Sequence, residues 1–166
     1  MLYSGPYDRE QAVQYVRMWA YDRNPAYYDF SNLDFSNLGG DCTNFVSQCI
    51  FAGARQMNHT PTFGWYYSSS DDRSPSWTGV QYLYQFLVNN RGSGPFAQTA
   101  DIMALEPGDV IQLGDRTGQF YHSLLVTGFS GQEILVATHS YDALDRPLSS
   151  YSFETARYLH LTGVQI

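Results

Sequence analysis

The residues best suited to chemistry lie in GGDCTNFVSQCIFAG, residues 39–53. Cys42 falls where a helix is predicted to begin, with Asp41 as its N-cap and Gly39-Gly40 as a tight turn into it. A thiolate is the reactive form of cysteine, and the positive end of a helix dipole lowers the pKa of a thiol placed there. The stretch therefore predicts a nucleophile at Cys42, with a small buried residue as the alternative reading.

A nucleophilic thiol needs a base, and the chain has four histidines: His59, His122, His139 and His160. His122 opens the hydrophobic run SLLVT, and His139 lies near the end of the next predicted strand. The short turn at 129–132 makes these strands antiparallel, so the start of one lies beside the end of the other. The pattern predicts Cys42 as nucleophile, His122 as base and His139 as the group that orients the base. Asp142 is the competing orienter, and the two remaining histidines are assigned to packing or the surface.

Other residues of the Cys42 helix are predicted to have no part in catalysis itself. Cys49 lies seven residues on, about 10 Å along a helix axis, which is too far for a disulfide. Both cysteines are therefore expected to be free thiols, and Cys49 is expected to be part of the core. Asn44 and Gln48 are predicted on the exposed side, where they could touch substrate. Asp41 is expected to do no more than cap.

The helices that must position these residues are read from periodicity. Asp8 caps a first helix, which Asn24-Pro25 ends. The Cys42 helix is second, and Gly53 stands where a C-terminal glycine belongs. A third helix is predicted from the apolar spacing of Val80, Leu83, Tyr84 and Leu87.

The rest of the chain reads as loops and strands. Residues 25–38, in which DFSNL occurs at 29–33 and 34–38, are predicted to be an aromatic loop. Residues 54–77 are predicted to be a long surface loop whose aromatic run is either packed or a platform for a ligand. Strands are predicted at 105–113, 121–129, 133–140 and 156–164. Helices followed by antiparallel strands predict a single α+β domain over residues 1–166.

Composition excludes several functions. All nine basic residues are arginine, and the net charge is −7. Such a chain has no lysine for a Schiff base, and its charge opposes binding to nucleic acid or to an anionic membrane surface. No apolar run is long enough for membrane insertion.

The motifs together carry a family resemblance. DCTNFVSQCIFAG around Cys42, HSLLVT at His122 and THSYDALDRPLSSY at His139 make the chain resemble the bacterial putative amidase domain family, from Tyr7 to about Tyr151. The wider order is similar to papain-like cell-wall amidases and peptidases. These have a cysteine at a helix start, a turn like LEPGDV, a histidine at a strand start and a polar residue on the next strand.

The resemblance implies a papain-like α+β fold in which N-terminal helices, including that of Cys42, pack on a C-terminal antiparallel sheet. It implies hydrolysis of an amide bond in peptidoglycan or another extracellular peptide, by a domain outside the cell or at the cell wall. A cytoplasmic location is the alternative, because no signal segment opens the chain. An acyltransferase using the same thioester and an inactive cell-wall-binding module also stay open. No cofactor is expected, and a zinc site from Cys42, His122 and His139 is a minor alternative.

Overall fold

The computed structural model describes residues 3–32 and 40–166. Its helices are α1 (Arg9–Trp19), α2 (Asp41–Ala54), α3 (Pro75–Thr78) and α4 (Val80–Asn89). Its strands are β1 (Ser4–Gly5), β2 (Tyr67–Ser69), β3 (Asp72–Arg73), β4 (Gly94–Thr99), β5 (Val110–Gly114), β6 (Phe120–Ser130), β7 (Glu133–Thr138), β8 (Ala143–Pro147) and β9 (Thr155–Gln165). Short 3-10 turns lie at Ile102–Ala104 and Leu148–Ser150.

Seven of the strands form one antiparallel sheet. β5, β6, β7 and β8 are neighbours in that order, and β9 pairs with β5 at Val110↔Leu159. β9 also pairs with β4 along its other edge and with β1 near its end. β2 and β3 form a separate hairpin. The predicted mixture of helices with an antiparallel sheet is confirmed, and β1, β4 and β8 are strands that the sequence did not indicate.

Both faces of the sheet are buried. One face packs against the helices through a cluster that includes Phe45, Ile50 and Leu125. The opposite face carries a second cluster that includes Ile111, Leu124 and Leu148. Because successive side chains of a strand point to opposite faces, Leu125 of β6 packs in the first cluster, and Leu124 and Val126 pack in the second.

Helix α1 begins as the sequence predicts. The Asp8 carboxylate accepts a hydrogen bond from the Gln11 backbone N–H at 3.0 Å, which makes Asp8 the N-cap. The helix ends at Trp19, earlier than Asn24-Pro25.

Helix α2 is buried on all sides. Every residue from Asp41 to Ile50 is buried, so the helix has no exposed face of the kind predicted for Asn44 and Gln48. Its N-cap is Gly40, and its C-cap is Arg55 with φ 56°. Gly53 lies inside the helix, against α1, where a Cβ would stand 2.6 Å from the Asp8 carbonyl oxygen. The prediction that Gly53 ends the helix is therefore wrong; close packing requires glycine there.

Residues 54–77 are more ordered than a surface loop. They contain the β2–β3 hairpin and the start of α3, and Asn58 pairs with Trp65 across an isolated antiparallel bridge. Trp65 and Trp77 are fully buried, with ring centroids 4.7 Å apart. Packing is thus confirmed for Trp65, whereas Phe63 is 83% exposed.

Four arginines lie over aromatic rings. Their guanidinium carbons stand 3.7–5.5 Å from the ring centroids, with Arg9 over Tyr7, Arg73 over Phe30, Arg146 over Tyr151, and Arg157 between Tyr84 and Phe120. These side chains contribute packing as well as charge.

The predicted aromatic loop and the absence of a membrane-spanning segment concern residues that are described only in part. The predicted aromatic loop is seen only as far as residue 32, where the chain makes turns; the rest of the DFSNL repeat and Gly39 lie outside the described residues. Within 3–32 and 40–166, no helix is long and apolar enough to cross a membrane.

Candidate functional site

Cys42 lies in the first turn of α2, as predicted, but its side chain is only 3% exposed. Its sulfur is 3.7 Å from Thr43 Oγ1 and also accepts a contact from the Ser123 backbone N–H on β6. Burial raises the pKa of the Cys42 thiol; the contacts from Ser123 and Thr43 lower it, and the Asp41 carboxylate raises it. Burial has the largest effect, so the pKa of the thiol is raised and the thiol is protonated at neutral pH. The sequence predicts the opposite direction, a lowered pKa.

Asp41 is the first residue of α2, not its N-cap. Its side chain is fully buried; one carboxylate oxygen accepts hydrogen bonds from the Phe30 backbone N–H and from Asn44 Nδ2, both at 2.9 Å. The other oxygen makes a short contact with Nδ1 of His139. The prediction that Asp41 only caps is wrong, because its carboxylate holds the start of α2 to the end of β7.

His139 follows β7 and is 1% exposed. Its Nε2 lies 2.9 Å from the Trp19 carbonyl oxygen, and its ring stacks on Phe45 with centroids 3.9 Å apart. Both ring nitrogens therefore have partners on the helical side of the sheet. The sequence predicts that His139 orients His122, but the partner the structure gives it is Asp41.

His122 lies near the start of β6, and its ring faces the other side of the sheet. Its Nε2 is 3.5 Å from Thr138 Oγ1, and its ring is 6.1 Å from that of Tyr151. Burial lowers the pKa of His122 to about 4, and the Arg146 cation acts in the same direction. The ring is therefore neutral at neutral pH, and its buried position opposes protonation.

An irregularity in the sheet lies directly before His122. Leu113 pairs with His122, but Gly114 pairs with Phe120, so Tyr121 is an extra residue on β6. An extra residue of this kind bends a strand and re-aims its side chains. Antiparallel pairing of the two predicted strands is confirmed, since Leu125 pairs with Ala137. In that register residue 139 lies opposite Ser123, so the His139 side chain shares a face with that of Ser123. His122 is one residue earlier on β6, and its side chain therefore points to the opposite face.

The alternative orienter, Asp142, has a different partner. Its two carboxylate oxygens accept hydrogen bonds from Arg23 Nη1 and Nη2, each at 3.0 Å. Arg23 Nη1 also lies 3.2 Å from His139 Nε2. Asp142 therefore belongs to the surroundings of His139.

The two polar residues predicted to touch substrate are buried. Asn44 is 1% exposed and accepts a hydrogen bond from Trp77 Nε1 at 3.0 Å. Gln48 is 4% exposed and accepts one from the Tyr15 hydroxyl at 2.5 Å. The prediction fails because the aromatic rings of α1 and α3 cover this side of α2.

The remaining cysteine and histidines behave as expected. Cys42 and Cys49 are free thiols, and burial holds the pKa of Cys49 well above its usual value. His59 is exposed and stacks on Tyr66, while His160 Nδ1 lies 3.0 Å from Asp109 Oδ2. Among residues 3–32 and 40–166, no three or more His, Cys, Asp or Glu side chains are arranged to hold a metal ion.

A cavity of about 480 Å³ lies between α4 and residues 58–64. Its rim includes the exposed rings of Phe63 and Tyr82, and Gln85, Asn89 and Arg91 add polar groups. Neither Cys42 nor His122 lines it.

Comparison with known proteins identifies a family and a relative that this chain resembles. The model of the family described as "Putative amidase domain" matches residues 6–162. The chain belongs to this family. Membership in the amidase domain family suggests hydrolase activity on amide bonds and confirms the resemblance read from the motifs. The chain is also 35% identical over 154 residues to "Uncharacterized protein YhbB" of Bacillus subtilis (strain 168). The match covers 90% of this chain and 46% of that relative, so the chain spans about half the length of the curated relative. No solved structure matches this amidase domain.

Proposed function

We propose that this chain is a thiol-dependent amidohydrolase of papain-like architecture with Cys42 as its nucleophile. The observation that carries the proposal is the place of the Cys42 sulfur, in the first turn of α2 and against the backbone N–H of Ser123, the residue after His122. A cysteine at a helix start beside a histidine-bearing strand is the arrangement that papain-like hydrolases use. Membership in the amidase domain family supports an amide as the bond that is cleaved.

His122 is the proposed base. Its ring is neutral, which is the form that accepts a proton from a thiol. In the resting structure the ring lies by Thr138 and Tyr151 on the sheet face opposite α2, so the reaction requires the start of β6 to rearrange until the ring reaches Cys42. The extra residue Tyr121 supports this step, because an irregular strand start can re-aim the next side chain.

His139 is the proposed positioning residue. Its contact with Asp41 joins the end of β7 to the first residue of α2. Because Cys42 follows Asp41 directly, this contact fixes the helix turn that presents the sulfur and its backbone N–H. That N–H is the proposed donor to the developing oxyanion.

The reaction then runs in two halves. The Cys42 sulfur forms a bond to the amide carbonyl carbon as His122 takes the thiol proton. The C–N bond breaks, the proton passes from His122 to the leaving amine, and a thioester remains. Water attacks the thioester and gives a proton to His122; the carboxylic acid leaves, and the proton returns to sulfur.

The proposed substrate is an amide bond of peptidoglycan or of another extracellular peptide, and the proposed location is outside the cell or at the cell wall. Resemblance to cell-wall amidases supports both. The acidic chain charge disfavours nucleic acid as the ligand.

The test is mass spectrometry of peptidoglycan fragments after incubation with wild type, Cys42→Ser, Cys49→Ser and His122→Ala. We expect a mass gain of one water across one amide bond with wild type and Cys49→Ser, and no cleavage with Cys42→Ser. Full cleavage by a folded Cys42→Ser protein contradicts the proposal.

A second candidate function is binding of cell-wall polymer without catalysis. The cavity beside α4 favours it, because exposed rings with amide and guanidinium donors suit a saccharide. Calorimetry with soluble glycan strands checks this for wild type, Tyr82→Ala and Tyr3→Ala; the last variant removes an exposed ring outside the cavity. Binding lost only in Tyr82→Ala, with no cleavage by wild type, favours this second function.

A further inference from the structure

Three buried side chains connect Arg157 on β9 to Cys42 on α2. Arg157 Nε lies 2.8 Å from Gln112 Oε1, and Gln112 Nε2 lies 3.2 Å from Ser123 Oγ. Ser123 Oγ lies 2.9 Å from Thr43 Oγ1, which is 3.7 Å from the Cys42 sulfur. Gln112, Ser123 and Thr43 are fully buried, so water does not compete for these contacts.

The direction of the hydrogen bonds follows from chemistry. A guanidinium only donates, so the Gln112 amide oxygen must face Arg157 and its nitrogen must face Ser123. The other amide proton of Gln112 goes to the Val80 carbonyl oxygen at 2.9 Å. Ser123 Oγ accepts from Gln112, so its own proton is available to Thr43. Thr43 then accepts from Ser123 and has its proton free for the sulfur.

We propose that this chain of side chains is a polarised relay that stabilises the Cys42 thiolate, with Thr43, Ser123, Gln112 and Arg157 as positioning residues for the nucleophile. When Cys42 is ionised, its sulfur can only accept, so every donor in the relay points toward it and a cation stands at the far end. Hydrogen bonds aligned in one direction strengthen one another in a buried site. The relay deepens the proposed function, on which it rests, by naming what offsets the burial of the thiol.

The cation at the end of the relay is held in place. Arg157 lies between the Tyr84 and Phe120 rings, at 3.7 and 3.9 Å, and its Nη2 donates to Gln81 Oε1 at 2.9 Å. Burial lowers the pKa of Arg157 to about 10, which still leaves it charged at neutral pH.

Other charged and titratable groups lie near Cys42 and Arg157, the two ends of the relay. Asp41, next to Cys42 on α2, opposes ionisation of the thiol. His122 on β6 and His139 after β7 are the histidines of the strands that face α2. Tyr84 on α4 is the titratable neighbour of Arg157. None of these lies in the relay itself, so variants of the relay leave them in place.

The experiment reads the ionisation of sulfur directly. Cysteine labelled with carbon-13 at the β carbon reports the titration of Cys42 by NMR, and Cys49 serves as an internal reference. The samples are wild type, Thr43→Val, Thr43→Ser, Arg157→Met and Arg116→Met, each checked by a thermal melt. Arg116 is a matched control because it is an exposed arginine that pairs with Glu154.

We expect Thr43→Val and Arg157→Met each to move the Cys42 midpoint to higher pH, with an ionisation constant at least about threefold smaller than in wild type. Thr43→Ser, which keeps the hydroxyl, and Arg116→Met should match wild type. An unchanged midpoint in folded Thr43→Val overturns the relay, and an unchanged midpoint in folded Arg157→Met removes the arginine from it. If Arg157→Met does not fold, Thr43→Val decides, since valine has nearly the shape of threonine. No substrate is involved, so this result is independent of whether the chain cleaves amides.

Discussion

Single residues decide what the site can do, and His122 is the one whose protonation is most constrained. Its folded pKa, about 4, lies below the ordinary value of about 6.5. The unfolded chain therefore binds more protons between these values, and stability falls as pH drops from 6.5 to 4. Above pH 6.5 this contribution is fully present.

The corresponding prediction concerns His122→Gln. Wild type should lose up to about 3 kcal/mol of unfolding free energy between pH 7 and pH 4 through this group alone, because the neutral ring must charge. The variant lacks the group and should lose correspondingly less. Urea unfolding at several pH values measures the difference. Parallel pH dependence in the two proteins would show that the His122 ring is not buried in the neutral form.

A second prediction concerns the buried Asp41–His139 contact. Asp41→Ala leaves His139 without its Nδ1 partner and should destabilise the fold by about 3–5 kcal/mol, which is typical of removing one member of a buried pair. Asp142→Ala, whose carboxylate meets Arg23 nearer the surface, should cost less than about 1 kcal/mol. Denaturant midpoints give both values. Equal losses in the two variants would mean that the Asp41 contact contributes no more than a surface pair.

The position of Cys42 could be predicted because the two glycines before it and the helical spacing after it occur locally. The role of Asp41 could not, since its partner His139 lies 98 positions away and has no local signal. One clue was present: α2 carries no charged residue after Asp41, which is unusual for a helix with an exposed face. The same clue argues against the exposed positions that were predicted for Asn44 and Gln48.

At the scale of elements, α1 and α2 meet at a point where only glycine fits. A Cβ on Gly53 would lie 2.6 Å from the Asp8 carbonyl oxygen and 2.7 Å from the Tyr7 ring. Alanine is the better helix former by about 1 kcal/mol, but here the clash with backbone outweighs that gain.

We therefore predict that Gly53→Ala lowers the melting temperature, with a loss of about 1–3 kcal/mol from overpacking. Gly128→Ala is the control, because a Cβ there meets nothing within 4 Å and its φ is not positive. Calorimetric scans of both variants provide the measurement. A Gly53→Ala protein as stable as wild type would show that α1 can move away from α2 at no cost.

Helices and strands with a regular hydrophobic pattern could be predicted, whereas strands that contain glycine or proline could not. α1, α2, α4 and the strands β5, β6, β7 and β9 follow their hydrophobic patterns. β4 begins with Gly94-Pro95, and β8 ends at Pro147; both residue types favour turns over strands. Each is tolerated because these strands lie at edges of the sheet. β1 is only two residues long and has no period.

At the scale of the whole molecule, Asp109 joins three distant parts of the chain. It is fully buried; Oδ1 accepts a hydrogen bond from Arg9 Nη1 at 2.7 Å and one from the Leu161 backbone N–H at 2.9 Å. Oδ2 lies 3.0 Å from His160 Nδ1. The LEPGDV turn predicted from sequence thus also ties α1 and β9 to the start of β5.

We predict that Asp109→Ala destabilises the protein by about 3–5 kcal/mol, because it leaves Arg9 and a buried backbone N–H without partners. Glu154→Gln, which weakens an exposed pair with Arg116, should change stability by less than about 1 kcal/mol. Chemical unfolding monitored by tryptophan fluorescence compares them. Similar midpoints for both variants would contradict the assigned role of Asp109.

The arginines described above have a consequence for the proposed route through a thioester. Thioesters readily acylate free amines, and a protein with lysines near such an intermediate can label itself. Here every side-chain cation is an arginine, and those that flank the site, Arg23 beside His139 and Arg157 at the end of the relay, stay protonated and do not attack acyl groups. An acyl group on Cys42 would therefore meet no side-chain amine of its own chain, and only water or an incoming amine would carry it away.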